Sequence, residues 1–196
     1  MSLIIRNLTK RFGDKTILEN LNLEFSDTGA YHITGESGVG KTTLLNMIAG
    51  LDNEYEGEIV GGGKTNVAYV FQEYRLFETA TALENVLIAF DTPTEAEIAR
   101  AKSYFSRLGF SQKDIYLKAR ALSGGMKQRV AIIRALMKDC PIYIFDEPTK
   151  ELHKEITEEF YRMLDELKSN SLVLLVSHEQ VPDKYQKINI FKISDT

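Results

Sequence analysis

Gly35-Glu36-Ser37-Gly38-Val39-Gly40-Lys41-Thr42 is the stretch that decides the fold. It fits the spacing GxxxxGK[ST] without a mismatch. A short apolar strand over 31–34 leads into it, and residues 41–49 continue at helical spacing until Gly50. The glycines let the backbone curl so that successive amides face one ligand. The following helix aims its positive N-terminal dipole at the same point. Strand, glycine loop and helix in that order make a cradle for the phosphates of a nucleoside triphosphate. Lys41 is placed to reach the β and γ phosphates, and the Thr42 hydroxyl to coordinate Mg²⁺. Gly35, Glu36, Ser37, Gly38, Val39, Gly40, Lys41, Thr42 and Thr43 are the candidate triphosphate-binding residues. The loop alone leaves kinases, GTPases and motor ATPases open.

Before the loop, apolar stretches at 3–5 and 21–25 are broken by the turn-like Phe12-Gly13-Asp14-Lys15, which predicts an antiparallel ribbon. After it, strands over 58–60 and 67–71 flank Gly61-Gly62-Gly63, and this pattern predicts a flexible hairpin. Between 81 and 109 the character is helical. Leu83, Val86, Leu87 and Phe90 share one face, and Thr94 with Glu97 has capping-box spacing. A helix over 123–137, a strand over 142–145, a helix over about 152–168 and strands over 172–177 and 188–193 complete the reading. Strands alternating with helices imply an α/β fold with a mainly parallel sheet covered on both sides. Residues 1–196 read as one domain, in which 1–78 and 138–196 form a nucleotide-binding core and 79–137 a helical subdomain.

Ile142-Tyr143-Ile144-Phe145-Asp146-Glu147 is an uninterrupted apolar run that delivers two adjacent carboxylates at its C-terminal end, where ligands bind in open parallel sheets. Asp146 suits holding Mg²⁺ through water. Glu147 suits orienting or deprotonating an attacking water as general base. His178 follows the strand over 172–177, so it emerges at the same edge and is a candidate for contacting the γ-phosphate and the water.

Bulk composition narrows the setting. With 24 Lys and Arg against 28 Asp and Glu, the net charge of -4 argues against affinity built on neutralising nucleic-acid phosphates. A single cysteine, Cys140, excludes an intramolecular disulfide and a cysteine-rich metal site, and suits a reducing compartment as a small packed residue. The N-terminus does not read as a secretion signal, and no run approaches the roughly 20 apolar residues that cross a bilayer. Membrane contact is therefore expected only through another protein.

Leu122-Ser123-Gly124-Gly125-Met126-Lys127-Gln128-Arg129 resembles the signature of ABC transporter ATPases, LSGG followed by a glutamine. Ser123 can cap the helix that begins there, and the glycines leave its amides approachable, making a second anion site from Ser123, Gly124 and Gly125. The resemblance runs from residue 3 to about 193 and takes in, in order, Phe12, the phosphate loop, Gln72, the signature, Asp146-Glu147 and His178. It implies that Phe12 stacks on adenine, that Gln72 contacts Mg²⁺ or water and senses a membrane partner, and that Asp146-Glu147 is a Walker B element. It also implies two copies pairing around ATP, each signature closing on the other's nucleotide. The cassette would drive a separate transmembrane permease from the cytoplasmic face of the cell membrane. The wording of 70–77 together with 123–129 resembles nitrate, sulfonate and taurine importers, whereas 35–38 and 44–52 resemble lipoprotein-releasing and macrolide exporters, so direction stays open.

The chain departs from the family in two places that matter. After Pro148-Thr149 the family usually has Ser-Ala-Leu-Asp, but this chain has Lys150-Glu151-Leu152-His153. The missing aspartate normally links the two sites of the dimer. The short stretch after the last strand leads to the expectation of no attached regulatory domain. The alternatives are a non-transport ABC ATPase acting as a nucleotide switch in assembly or regulation, and a P-loop kinase, which needs an acceptor pocket in place of the signature.

Overall fold

The ribbon forms because its two apolar stretches can bury one face together. β1 (Leu3–Phe12) and β2 (Lys15–Phe25) run antiparallel, with Leu3 opposite Phe25 and Phe12 opposite Lys15. Gly13, at φ 57°, supplies the left-handed turn between them. The computed structural model describes residues 2–191. By contact, the described chain forms two compact units: residues up to Tyr69, Cys140–Asp146 and those from Asp165 onward make one, and Val70–Asp139 with Glu147–Leu164 make the other.

The first unit holds two sheets. β3 (Gly29–Thr34) leads to α1 (Lys41–Ile48). β4 (Glu56–Val60) then pairs antiparallel with β1, giving a three-stranded sheet in the order β2-β1-β4. The hairpin expected across Gly61-Gly62-Gly63 is not formed, because β5 (Val67–Val70) joins the other sheet. The glycines serve a close approach instead. Gly63 N–H donates to the Ile48 carbonyl at 2.9 Å, and a Cβ on Gly62 would lie 2.4 Å from that oxygen.

The second sheet has the order β5-β6-β7-β3-β8, with β6 (Ile142–Asp146), β7 (Leu172–Val176) and β8 (Gln186–Asn189). The pairs β6–β7, β7–β3 and β3–β8 are all parallel. β6 and β7 are buried along their whole length, which explains their unbroken apolar runs. Ile33, Leu44, Leu45, Ile144 and Leu174 are fully buried in the core of this unit. Each such side chain contributes roughly 1.5–3 kcal/mol. The last strand ends at Asn189, although Ile190 N–H still donates to the Thr34 carbonyl at 2.8 Å. Positions 192–193 of the expected final strand lie outside the described residues.

The second unit is helical, built from α2 (Ala82–Leu87), α3 (Glu95–Arg107), α4 (Gly124–Leu136) and most of α5 (Lys154–Leu167). Capping boxes start two of these helices: Thr81 with Glu84, and the expected Thr94 with Glu97. α2 is shorter than its apolar pattern, and Phe90 lies beyond its end. It buries Ala82, Asn85 and Val86. Asn85 is satisfied there by the Phe77 N–H at 2.8 Å and the Phe77 and Thr81 carbonyls at 3.0 Å. Among the described residues, no helix is long and apolar enough to cross a membrane. Cys140 is buried and lies in no disulfide.

Candidate functional site

Three neighbouring parallel strands release the chain at one edge of the sheet. In the order β6-β7-β3 they deliver Asp146, Ser177-His178 and Gly35. Open parallel sheets bind ligands at this edge, because helix N-termini and loops converge beyond the strand ends.

The glycines of the phosphate loop are required for two different reasons. Gly35 has φ 149° and a Cβ there would meet the Ile190 carbonyl oxygen at 2.5 Å, so the loop leaves β3 pressed against the backbone just beyond β8. Gly40 has φ 105° and a Cβ there would meet Ile17 Cγ2 at 2.7 Å, so β2 forms the floor of the loop. Gly40 is also the N-cap of α1. No side chain caps this helix, and its first turn carries no acidic residue. Glu36, Ser37, Gly38 and Thr42 are exposed, whereas Val39 is buried as an anchor and Thr43 is half-buried. Lys41 is only 8% exposed, and its ammonium donates to the Gly35 carbonyl at 2.8 Å and the Glu36 carbonyl at 2.9 Å. The cation is held inside the curl of the loop.

Thr42 Oγ1 donates to Asp146 Oδ2 at 2.8 Å. Burial pushes the Asp146 carboxyl up, and the pull of Thr42, Lys41, Tyr69 and His178 in the other direction does not cancel it. A hydroxyl and a desolvated carboxylate side by side form a hard-oxygen donor pair. No group of three or more His, Cys, Asp or Glu that could hold a metal exists among the described residues. The donor chemistry of the pair would suit Mg²⁺, which keeps several waters and takes one or two protein oxygens together with phosphates.

His178 is exposed and near enough to Asp146 to influence its charge. Phe12, at the end of β1, is 54% exposed despite being aromatic. Lys10 Nζ lies 4.6 Å from the Phe12 ring centroid and is fixed by Asp52 at 2.9 Å and the Glu54 carbonyl at 2.6 Å.

In the helical unit, Gln72, Tyr74, Gln128, Glu147, Lys150 and Glu151 line a polar cavity of about 360 Å³. Glu147 is half-buried with φ 53°, a left-handed backbone that costs a non-glycine residue roughly 1–3 kcal/mol. Such strain persists only where the surroundings fix it, and here it turns the chain sharply after β6. Ser123 caps α4, accepting from Met126 N–H at 3.3 Å, and Gly124 and Gly125 open the first turn. A larger cavity of about 450 Å³, lined by residues including Phe105, Phe110 and Tyr116, has neither a carboxylate nor a histidine in its wall.

A strand-loop-helix that holds a lysine inside the loop, a hydroxyl–carboxylate pair beside it and a glycine-opened helix in the second unit are the parts of an ATP-binding cassette. The family model for "ABC transporter" matches residues 18–150. The chain belongs to the ABC transporter family. It is 35% identical over 192 residues to the uncharacterized ABC transporter ATP-binding protein YclH of Bacillus subtilis (strain 168), covering 89% of this chain and 84% of that protein. It is 34% identical over 199 residues to the L-cystine transport system ATP-binding protein TcyN of Escherichia coli (strain K12), covering 89% and 79%. Other curated relatives are longer, and the chain spans about half their length. Among solved structures it resembles the dimeric post-hydrolysis state of the ATP-binding cassette MJ0796 bound to ADP and Pi. That match has a TM-score of 0.79 and 29% identity, over 90% of this chain and 88% of that one. This ABC protein is the ATP-binding and ATP-hydrolysing subunit of a transport system.

Sequence reasoning did not single out Glu151, Tyr74 or Lys10. Glu151 had a signal, since it introduces a charge into the stretch that departs from the family wording. Tyr74 and Lys10 had none, because an aromatic in a loop and a lysine in a strand look like solvated residues until packing half-buries the one and encloses the other.

Proposed function

We propose that two cassettes pair head to tail around ATP and that their closing and opening drives a separate transmembrane permease. The observation that carries this reading is the pairing of features within each chain: a loop that can grip a triphosphate tail, and a second glycine-opened helix end that the same chain's loop does not need. Each cassette would span residues 1–196, with 79–137 as its helical part.

In this reading the amides of Gly38 to Thr43 and the Lys41 ammonium bind the β and γ phosphates. Phe12 stacks on adenine. Thr42 and Asp146 hold Mg²⁺, which when bound neutralises phosphate charge. Glu147 accepts a proton from water as the water oxygen bonds to the γ-phosphorus, and the bond from that phosphorus to the ADP oxygen breaks. His178 and Gln72 orient the water, and Ser123, Gly124 and Gly125 cover the partner's γ-phosphate. Residues 72–77 carry the motion to the permease, which holds the cassette at the inner face of the cell membrane.

Glu147→Gln tests the reading. It removes the base and leaves the phosphate cradle intact, so turnover is expected to fall about 100-fold or more while ATP binding persists. Size exclusion of the variant with ATP should show a dimer. A variant with near wild-type phosphate release, or one that stays monomeric with ATP and with its membrane partner supplied, removes the proposal.

A further inference from the structure

The positive end of α4 is answered by a residue outside the helix. α4 carries no acidic residue in its first turn. A Cβ on Gly124 would lie 2.0 Å from Glu151 Oε2, and a Cβ on Gly125 would lie 2.6 Å from the Glu151 carbonyl oxygen. Side chain and backbone of Glu151 are thus packed over both signature glycines, and only the missing Cβ atoms allow it. The position a Gly124 Cβ would take is also 3.0 Å from the Tyr74 hydroxyl, which hydrogen-bonds to Glu151. A second observation points to exchange at this mouth. Gln128 is 3% exposed, lines the same cavity as Glu151, and its Nε2 has no hydrogen-bond partner. A buried amide hydrogen is costly to leave unpaired, so Gln128 is set to receive an acceptor that enters the cavity.

We infer that Glu151 is a resident competitor: its carboxylate occupies the anion-binding mouth of the signature helix and must leave before a partner's γ-phosphate can enter. A carboxylate and a phosphate cannot share one helix N-terminus, because they compete for the same space over its glycines and repel each other. Tyr74 holds the carboxylate in place by donating to it. Gln128 Nε2 and the Lys150 ammonium, in the same cavity, offer the displaced carboxylate a neutral and a charged donor. Glu151 therefore sets the ATP concentration at which two cassettes close. This inference rests on the proposed closure of the signature over a partner's nucleotide.

The experiment measures the ATP concentration for half-maximal dimerisation in Glu147→Gln, in Glu147→Gln with Glu151→Gln, and in Glu147→Gln with Tyr74→Phe. Removing the competing charge should lower the midpoint about tenfold, and releasing its anchor about threefold. If Glu147→Gln dimerises and neither double variant lowers the midpoint, the Glu151 inference falls and the closure reading stands. If none of the three dimerises, both fall. A merely structural role for Glu151 would lower the thermal midpoint of the monomer and leave the ATP midpoint where it was.

Discussion

Among the described residues two helix N-termini are opened by glycines, and they are furnished in opposite ways. α1 begins at Gly40 with no side-chain cap and no acid in its first turn, and the charge beside it is the Lys41 cation, held by the carbonyls of Gly35 and Glu36. α4 begins at Ser123, which satisfies one amide itself, and the charge over its glycines is the Glu151 carboxylate. One mouth is arranged to attract an anion; the other already carries one. The contrast explains how similar local sequences can grip in one case and gate in the other. What decides the role is the sign of the charge that the rest of the fold brings to the glycines.

The comparison breaks most readily at Lys41. Lys41→Ala should reduce ATP turnover about 100-fold or more, since no other side chain supplies that charge inside the loop. Ser123→Ala should reduce it far less, and steady-state phosphate release compares the two directly. Next come the glycines. Gly35→Ala drives a Cβ into the backbone oxygen of Ile190 and should cost about 2–4 kcal/mol in denaturant unfolding. Gly124→Ala meets the mobile end of Glu151 first, so its cost should stay near 1 kcal/mol. Equal costs would mean that the Glu151 carboxylate is as fixed as backbone.

A smaller effect tests the cap alone. Ser123→Ala should lower stability by about 1 kcal/mol through the lost hydrogen bond to Met126 N–H, whereas α1 has no corresponding side chain to lose. The smallest effect is alkaline. Burial and the Glu151 carboxylate push the Tyr74 hydroxyl up to about 12, above its ordinary value of 10.0. A raised pKa means that the neutral form is favoured in the folded state. Its contribution is complete below about pH 10 and is lost as pH rises toward 12. Tyr74→Phe should remove one high-pH phenolate step from the ultraviolet titration and flatten the stability curve in that window.

Much of this architecture was readable from residues alone. The ribbon turned at Phe12-Gly13-Asp14-Lys15, the buried runs of β6 and β7 and the glycine spacing before Lys41 each reflect a local rule, and the described elements follow them. The failure at Gly61-Gly62-Gly63 has a physical reason. Local pattern marks β4 and β5 as strands but carries no information about which distant strand each will pair with, and three glycines read as a turn whether they bend the chain or let it pass close to Ile48. The left-handed backbone of Glu147 and the contact of Tyr74 with Glu151 were equally invisible. Both are imposed by tertiary packing on residues whose own preferences point elsewhere. Glu151 could be flagged as unusual, but nothing in one dimension told which glycines it would cover.

Gly40 rests against Ile17, and this gives the N-terminal ribbon a duty beyond its own folding. A bulkier side chain at that distant position would lift the bend of the loop and misdirect its amides without altering any residue that meets nucleotide. Substitutions in β2 that leave the sheet intact can therefore masquerade as defects in ATP affinity, and loss-of-function variants mapping there belong to the phosphate grip.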